Sequence, residues 1–397
     1  MRSGGRGRHG HGVARGPRGG DARCGAGGEG GLVVRPHSPT DASHTSLRRR
    51  TFLIAGPGAA LLGSGRAHAL PPANLMFPRD HGAHPAFRTE WWYVTGALRS
   101  GDREFGFQVT FFRSRVDATQ AMQSKFAAKQ LVFAHAALTD VRGRKLWHDQ
   151  RIAREGFDIA ASAQGDLAVK LRDWSMERSD AGIRCRVVSG DFALDLACTT
   201  TQPVLLQGDQ GLSRKGPQPG QASYYYSLPQ LSVQGGVTLQ GARVPVTGKA
   251  WLDHEWSDEL LHRDAVGWDW IGMNLDDGSA LTAFRLRRAD GSTVWDGGSF
   301  RSSQGGTYVF RPGEAIFSPQ RSWHSPRSQA RYPVDWMVRT PADFYTVKAL
   351  VDDQELDSRA STGAIYWEGV ADLFDSNGKR VGRGYLEMTG YTGRLKV

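Results

Sequence analysis

Two stretches concentrate groups able to do acid–base chemistry beside aromatic rings. The first runs Phe77-Pro78-Arg79-Asp80-His81-Gly82-Ala83-His84-Pro85-Ala86-Phe87-Arg88-Thr89-Glu90-Trp91-Trp92-Tyr93. The second runs Gly248-Lys249-Ala250-Trp251-Leu252-Asp253-His254-Glu255-Trp256-Ser257, with Trp268-Asp269-Trp270 a dozen residues later. Asp253, His254 and Glu255 supply general acid and base groups on one short segment. In an extended strand Trp251, Asp253 and Glu255 share one face, while Leu252, His254 and Trp256 share the other. The chain holds 12 tryptophans, and their concentration in these clusters suits either a pocket for an oily ligand or plain core packing. His81-x-x-His84 offers a loose metal spacing with Glu90 or His135, but Pro85 favours an extended loop and no further ligand falls at a recognised interval, so no metal is expected. No G-x-S-x-G, paired C-x-x-C, dinucleotide fingerprint or phosphate loop is present, which weighs against serine hydrolases, dehydrogenases and nucleotide enzymes.

The elements that position these residues are strands. Phe105, Phe107, Val109 and Phe111 alternate with polar or small residues, as do Leu131, Phe133, His135 and Ala137. Turn signals such as Ser100-Gly101-Asp102, Asp276-Asp277-Gly278 and Ser376-Asn377-Gly378 recur at short intervals. Only residues 117–130 read as a short helix. Trp91–Gly101 lies over Trp268–Gly278 in a repeat, each copy ending in a glycine turn. A weaker echo pairs Ala137–Leu146 with Ala371–Val381. The pattern predicts an all-β chain of two tandem antiparallel β-barrels related by internal duplication, over residues 70–247 and 248–397, each the size of a barrel that holds a small ligand. Cys185 and Cys198 flank a hairpin turn at Ser189-Gly190-Asp191, on one apolar face; a cross-strand bridge and two buried thiols are both compatible with that placement.

The chain of 397 residues carries a net charge of +10. Residues 1–69 hold eleven arginines and three acids, so +8 of that charge lies there and the body is close to neutral. A near-neutral body gives no field to steer a nucleic acid. Residues 1–45 are Gly/Arg-rich and read as a disordered extension or a misassigned start. Within 46–69, Arg49-Arg50-Thr51-Phe52-Leu53, a short apolar run and Ala67-His68-Ala69 read as a twin-arginine signal cleaved after Ala69, hence a periplasmic or secreted protein. The apolar run is far below the roughly 20 residues that span a bilayer, so no transmembrane segment is expected.

Residues 77–96 resemble the signature of the carotenoid 1,2-hydratase-like family, which includes the AttH-type predicted secreted hydrolases. Thr247–Trp256, Val266–Trp270, Tyr366-Trp367-Glu368-Gly369 and Gly384–Tyr391 are similar to its later blocks, in order along the whole mature chain. The resemblance implies a pair of lipocalin-like barrels. It also implies addition of water, without a cofactor, across an isolated C=C of an acyclic carotenoid, by a proton donor, a cation-facing aromatic and a placed water. His254-Glu255-Trp256 matches the family's His-x-Trp pair, but residues 281–287 lack its Tyr-x-Asp pair, which leaves Asp253, Glu255 or Asp269 to supply the proton.

Three function classes follow. The leading expectation is an exported protein binding a lipid or isoprenoid, with His81, His84, Glu90, Trp91, Tyr93, His135, Trp251, Trp268, Asp269 and Trp270 as ligand-binding residues. Hydratase or hydrolase action by Asp253, His254, Glu255 and Trp256 is the second. The third is a non-catalytic envelope protein; the resemblance adds an envelope ABC-type transporter as a possible partner.

Overall fold

The computed structural model describes residues 69–395, so the twin-arginine segment and the first 45 residues lie outside the described residues. The described chain is almost wholly antiparallel strand, apart from single 3-10 turns at Arg79–His81 and Asp117–Thr119. The expected helix over 117–130 is therefore reduced to one turn. The segment carries no apolar stripe to bury, and Met122 and Phe126 stay exposed.

Two sheets form. The first contains β1 (Thr89–Ser100), β2 (Arg103–Arg115), β3 (Gln130–Asp140), β4 (Lys145–Arg154), β5 (Ala160–Ser162), β6 (Ala168–Leu171), β7 (Trp174–Ser179), β8 (Gly182–Val188), β9 (Phe192–Thr199), β10 (Leu205–Leu206), β11 (Leu212–Arg214), β12 (Ala222–Leu239) and β13 (Ala242–Ser257). The second contains β14 (Gly267–Leu275), β15 (Ala280–Arg287), β16 (Thr293–Arg301), β17 (Thr307–Val309), β18 (Ile316–His324), β19 (Arg331–Arg339), β20 (Phe344–Ala349), β21 (Glu355–Ser358), β22 (Ala364–Phe374) and β23 (Arg380–Met388). Their orders are β4-β3-β2-β1-β13-β12-β9-β8-β7-β6-β5 and β17-β16-β15-β14-β23-β22-β20-β19-β18. In both sheets the opening strand pairs with the closing strand, and hairpins spread outward on either side. The chain is thus two copies of one topology, with β1 and β14, aligned by the Trp91/Trp268 repeat, in equivalent places.

The topology corrects two expectations. Gly248–Trp256 does not open the second barrel; it is the end of β13, which closes the first by pairing with β1 and β12. The divide falls between Ser257 and Gly267, and a boundary at 247/248 would cut β13. The weaker echo also fails, because Ala137–Leu146 is the β3–β4 hairpin whereas Ala371–Val381 is β22–β23, and the two hold different positions in their sheets.

Each sheet curls round its own core. Trp92, Val94, Phe107, Leu138, Leu171, Val187, Leu196 and Leu252 come from strands far apart in the sheet order yet share one buried cluster. Ile271, Leu281, Trp336, Val347, Trp367 and Leu386 fill the second. Full burial of each such side chain stabilises the fold by about 1.5–3 kcal/mol. The barrel interiors are accordingly packed with side chains, as small barrels are, and are not cups for a guest. On the far wall of the first barrel, Ile183, Cys185 and Val187 point in while Arg184 and Arg186 point out. The Ser189–Asp191 turn joins β8 to β9, and the two cysteines sit unbridged within the core, Cys185 opposite Leu196 and Cys198 opposite Ile183.

Strands on the near walls behave differently. Every residue of β15 is buried, on both faces, because the outer faces of β1, β2, β3, β12 and β13 pack against those of β14, β15, β22 and β23. The approach is close: a Cβ on Gly106 would lie 2.8 Å from Tyr385 Oη and from Val370 Cβ. A bulge in β12 puts Gln230 at φ 57° and turns it to the second sheet. There its backbone N–H donates to Asn274 Oδ1 at 2.7 Å and its amide to the Leu275 and Ser279 carbonyls. Among the described residues no helix is long and apolar enough to cross a membrane.

Candidate functional site

The period-two alternation of β13 separates the two faces of the acid–aromatic segment. Leu252, His254 and Trp256 enter the first core, whereas Trp251, Asp253 and Glu255 face the second sheet. Between the sheets is a cavity of about 290 Å³. Its walls are largely aromatic: Trp91, Tyr93, Phe112, Tyr225, Trp268, Trp270 and Phe284. Among the described residues four carboxyl groups line it, Asp253, Glu255, Glu368 and Glu387, with Lys215 the only lysine.

These acids are not equivalent. Glu255 is neutralised by Lys215, whose Nζ lies 2.8 Å from Oε1, and it also accepts from the Ser223 hydroxyl. Lys215 in turn lies over the Phe284 ring at 4.1 Å. Asp253 accepts from Tyr225 Oη (2.8 Å), Ser227 Oγ (2.6 Å) and Trp251 Nε1 (2.6 Å). Burial outweighs these three bonds and raises its pKa to about 7.

Glu368 and Glu387 have fewer partners, with Tyr93 near Glu368 and Trp268 near Glu387. They are directly opposite across the β22–β23 ladder, and among the described residues no cation pairs with either. Burial, reinforced by the neighbouring carboxylates, raises Glu387 to about 7. Burial and the charge of Glu387 raise Glu368 well above the carboxylate range. Two like charges in register in an apolar wall cannot both persist, so the pair retains a proton near neutrality. Glu368 Oε1, Tyr93 Oη and Gln108 Oε1 are buried without a hydrogen-bond partner. Each such atom costs about 1–3 kcal/mol when nothing pairs with it, so the floor of the cavity is built to hold water or a polar group. His135 lies at the side: its Nδ1 is 2.9 Å from Tyr366 Oη and its Nε2 2.8 Å from Ser361 Oγ, and burial lowers it to about 3, which keeps it neutral.

The remaining expected residues lie elsewhere. Glu90 is the hub of a cluster inside the first barrel, bonded to His254 Nε2 (2.9 Å), His84 Nδ1 (2.7 Å) and Arg113 Nε (2.7 Å). Burial alone would raise Glu90; the bonds from His254 and His84 prevail and lower it. His84 stacks on Trp256 at 3.8 Å, and His81 bonds Tyr226 Oη at 2.7 Å while its carbonyl accepts from Trp92 Nε1. The segment 77–88 is thereby pinned as a plug in the barrel end. His81, His84, Glu90, His254 and Trp256, expected as ligand-binding or catalytic residues, lie in or beside this cluster and do not line the cavity. Ligand atoms of His84, Glu90 and His254 lie within 4.8 Å of one another. The adjoining Arg113 guanidinium makes this a poor setting for a dication. Asp269 is likewise displaced: it faces the second core, bonded to Arg285 Nε at 2.7 Å and Tyr391 Oη at 2.8 Å. Trp251 stands behind Asp253 as its donor. Trp91, Tyr93, His135, Trp268, Trp270, Asp253 and Glu255 do line the cavity.

Glu368, Glu387 and Lys215 were not singled out as site residues. A signal existed for the two glutamates: aromatic-x-acid recurs in Trp251-x-Asp253, Tyr366-x-Glu368 and Tyr385-x-Glu387, each pair sharing one strand face. Lys215 sits in a loop with no period to reveal it.

A family model described as AttH-like matches residues 68–391. No curated protein is similar enough to serve as a relative. The crystal structure of a candidate AttH from Nitrosomonas europaea is 49% identical, with a TM-score of 0.76 over 81% of this chain and 99% of that one. Kievitone hydratase from Nectria haematococca shares the fold at 14% identity, with a TM-score of 0.64 over 80% of this chain and 93% of that one. The duplicated lipocalin-like architecture and the family match agree, and the chain belongs to the AttH-like family.

Proposed function

We propose that the protein is a cofactor-independent hydratase that takes an apolar, unsaturated ligand of lipid or isoprenoid type into the cavity between its two sheets. The observation that carries this reading is the placement of Glu368 and Glu387 directly opposite each other in a tryptophan-rich wall. Glu387 is half-buried and faces the cavity, so its acid form donates a proton to the less substituted carbon of a C=C. A C–H bond forms from the π pair, and the cation left on the more substituted carbon lies against the Trp91, Trp268 and Trp270 rings. Water held by Gln108 and Tyr93 forms the new C–O bond. Its surplus proton passes to the carboxylate pair and restores the acid. One molecule of water is added and nothing is oxidised.

A cavity of about 290 Å³ is at the small end of ligand sites, roughly 300–1,000 Å³, so it takes a small ligand or one end of a longer chain. The fold shared with kievitone hydratase is consistent with hydration but does not identify the substrate. Incubation with acyclic isoprenoids bearing a terminal trisubstituted alkene tests the reading; a product heavier by one water supports it. Return of every ligand unchanged, from a protein that binds it, favours a carrier instead.

The reading includes export by the twin-arginine route and lipophile handling in the envelope, beside a transporter. Its support is Arg49-Arg50 and Ala67-His68-Ala69. An exported form whose intact mass begins at Leu70 is the expected result.

A further inference from the structure

Two neighbouring loops of the first barrel carry a group of exposed large apolar side chains. Phe126 is 75% exposed, Phe157 53% and Met122 50%, with Ile159 beside them. Phe126 and Phe157 stack with ring centroids 5.7 Å apart, and the Arg154 guanidinium lies 4.0 Å over Phe157 and 5.6 Å over Phe126. Arg154 also donates to the Lys125 carbonyl, so the two loops are joined rather than separately frayed. Side chains this exposed form a protruding tip, whereas protein-binding hot spots are usually set in a packed ring.

Charge and position say what the tip meets. Residues 116–129 contain Lys125 and Lys129 and one acid, Asp117, which is paired with Arg115. Around the second loop Arg151 is paired with Asp173 and Lys170 lies 3.9 Å from Asp158, while Arg154 and Arg172 add further positive charge. Glu155 is turned away, accepting from Ser162 N and Oγ. Long basic side chains flanking an apolar tip can keep their charges in the headgroup layer while the rings sink below it. The tip also stands at the cavity mouth. The 116–129 loop is the β2–β3 connection, closed by Val116 N to Lys129 O, and the adjacent Phe112, Ser114 and Phe133 are half-buried lining residues. At the other end of the cavity Tyr93, Gln108 and Tyr225 are fully buried. The cavity therefore opens on the side that carries the tip.

We propose that Phe126, Phe157 and Met122, with their ring of Lys and Arg, dock the protein on an anionic lipid surface. Docking places the cavity mouth at the interface where an oily ligand resides. It does not require the hydratase reading, since a carrier would use the same route.

The test is co-sedimentation of the full chain with vesicles of phosphatidylcholine, with and without phosphatidylglycerol, together with the emission of a Phe126→Trp variant. Binding is expected to vesicles that contain phosphatidylglycerol, weakened by salt, with a blue shift of the new tryptophan. The Phe126→Ser/Phe157→Ser double variant is expected to bind at least roughly tenfold more weakly, since each ring that partitions is worth more than a decade. Unchanged circular dichroism separates this loss from misfolding, and unchanged alkene turnover in detergent separates it from failure of the catalytic reading. Absence of binding and of any blue shift overturns the proposal. So does binding that needs native envelope membranes and disappears when they are treated with protease, because the partner would then be a protein.

Discussion

Glu368 and Glu387 stand directly opposite each other on β22 and β23, in a wall where no cation among the described residues pairs with either. In such a place a carboxyl pair is a proton store. Replacing Glu387 with Gln removes the transferable proton but keeps the shape. The expected outcome is a fall in turnover of about 10²-fold or more with ligand affinity kept within a few fold, measured by product formation and direct binding. Glu368→Gln should also slow turnover, by less, because it chiefly sets the pKa of its partner. Full activity in both variants would remove the pair from the chemistry.

The same pair fixes a pH dependence. Glu387 and Asp253 both have folded pKa values of about 7, above their ordinary 4.5 and 3.8. Between those limits the native state holds more protons than the unfolded chain. Their contribution to stability is therefore full below about pH 4 and is lost as pH rises through 7. Urea unfolding should show stability falling across that interval, with a shallower slope in Glu387→Gln. Turnover should decline on the alkaline side with apparent values that belong to the coupled pair rather than to one residue.

His254, buried and bonded to Glu90, is predicted to act on the fold and not on the ligand. His254→Ala leaves Glu90 short of one partner in a sealed cluster, and a loss of about 2–4 kcal/mol is expected by denaturant unfolding. Under conditions where the variant remains folded, turnover per folded molecule should change little. A large loss of turnover with stability intact would return His254 to the active site.

The indoles divide in the same way. Trp268→Leu keeps an apolar wall but removes a π face, so turnover should fall more than affinity; Trp268→Phe should recover part of it. Trp92→Phe, inside the first core, should lower stability and leave the ratio of turnover to binding unchanged.

Cys185 and Cys198 are predicted to react as two free thiols, but only after unfolding. In a form that begins at Leu70 and so lacks Cys24, labelling in denaturant without reductant should add two equivalents, and labelling of the native protein none.

Much of this architecture was legible in the sequence. Alternation placed Trp251, Asp253 and Glu255 on one face and His254 and Trp256 on the other, and the Trp91/Trp268 repeat marked the opening strand of each sheet. What alternation cannot say is which face meets solvent, core or a second sheet. That depends on docking between segments far apart in the chain, so the sequence marks His254 more readily than Glu387. Alternation is equally silent on whether a guest lies within or between the barrels; the side chains of Trp92, Trp336 and Trp367 fill the interiors and leave the space between. The closing role of β13 was hidden because its partner, β1, is separated from it by the whole first sheet.

The central claim is that the inter-sheet cavity hydrates an alkene with a proton from the Glu368–Glu387 pair. Reaction of an acyclic isoprenoid in isotopically labelled water, followed by mass spectrometry, tests it most directly. The account predicts a tertiary alcohol that carries the label with the native chain, and none with a folded Glu368→Gln/Glu387→Gln variant that still binds the ligand. Labelled alcohol formed at the native rate by that variant would contradict it.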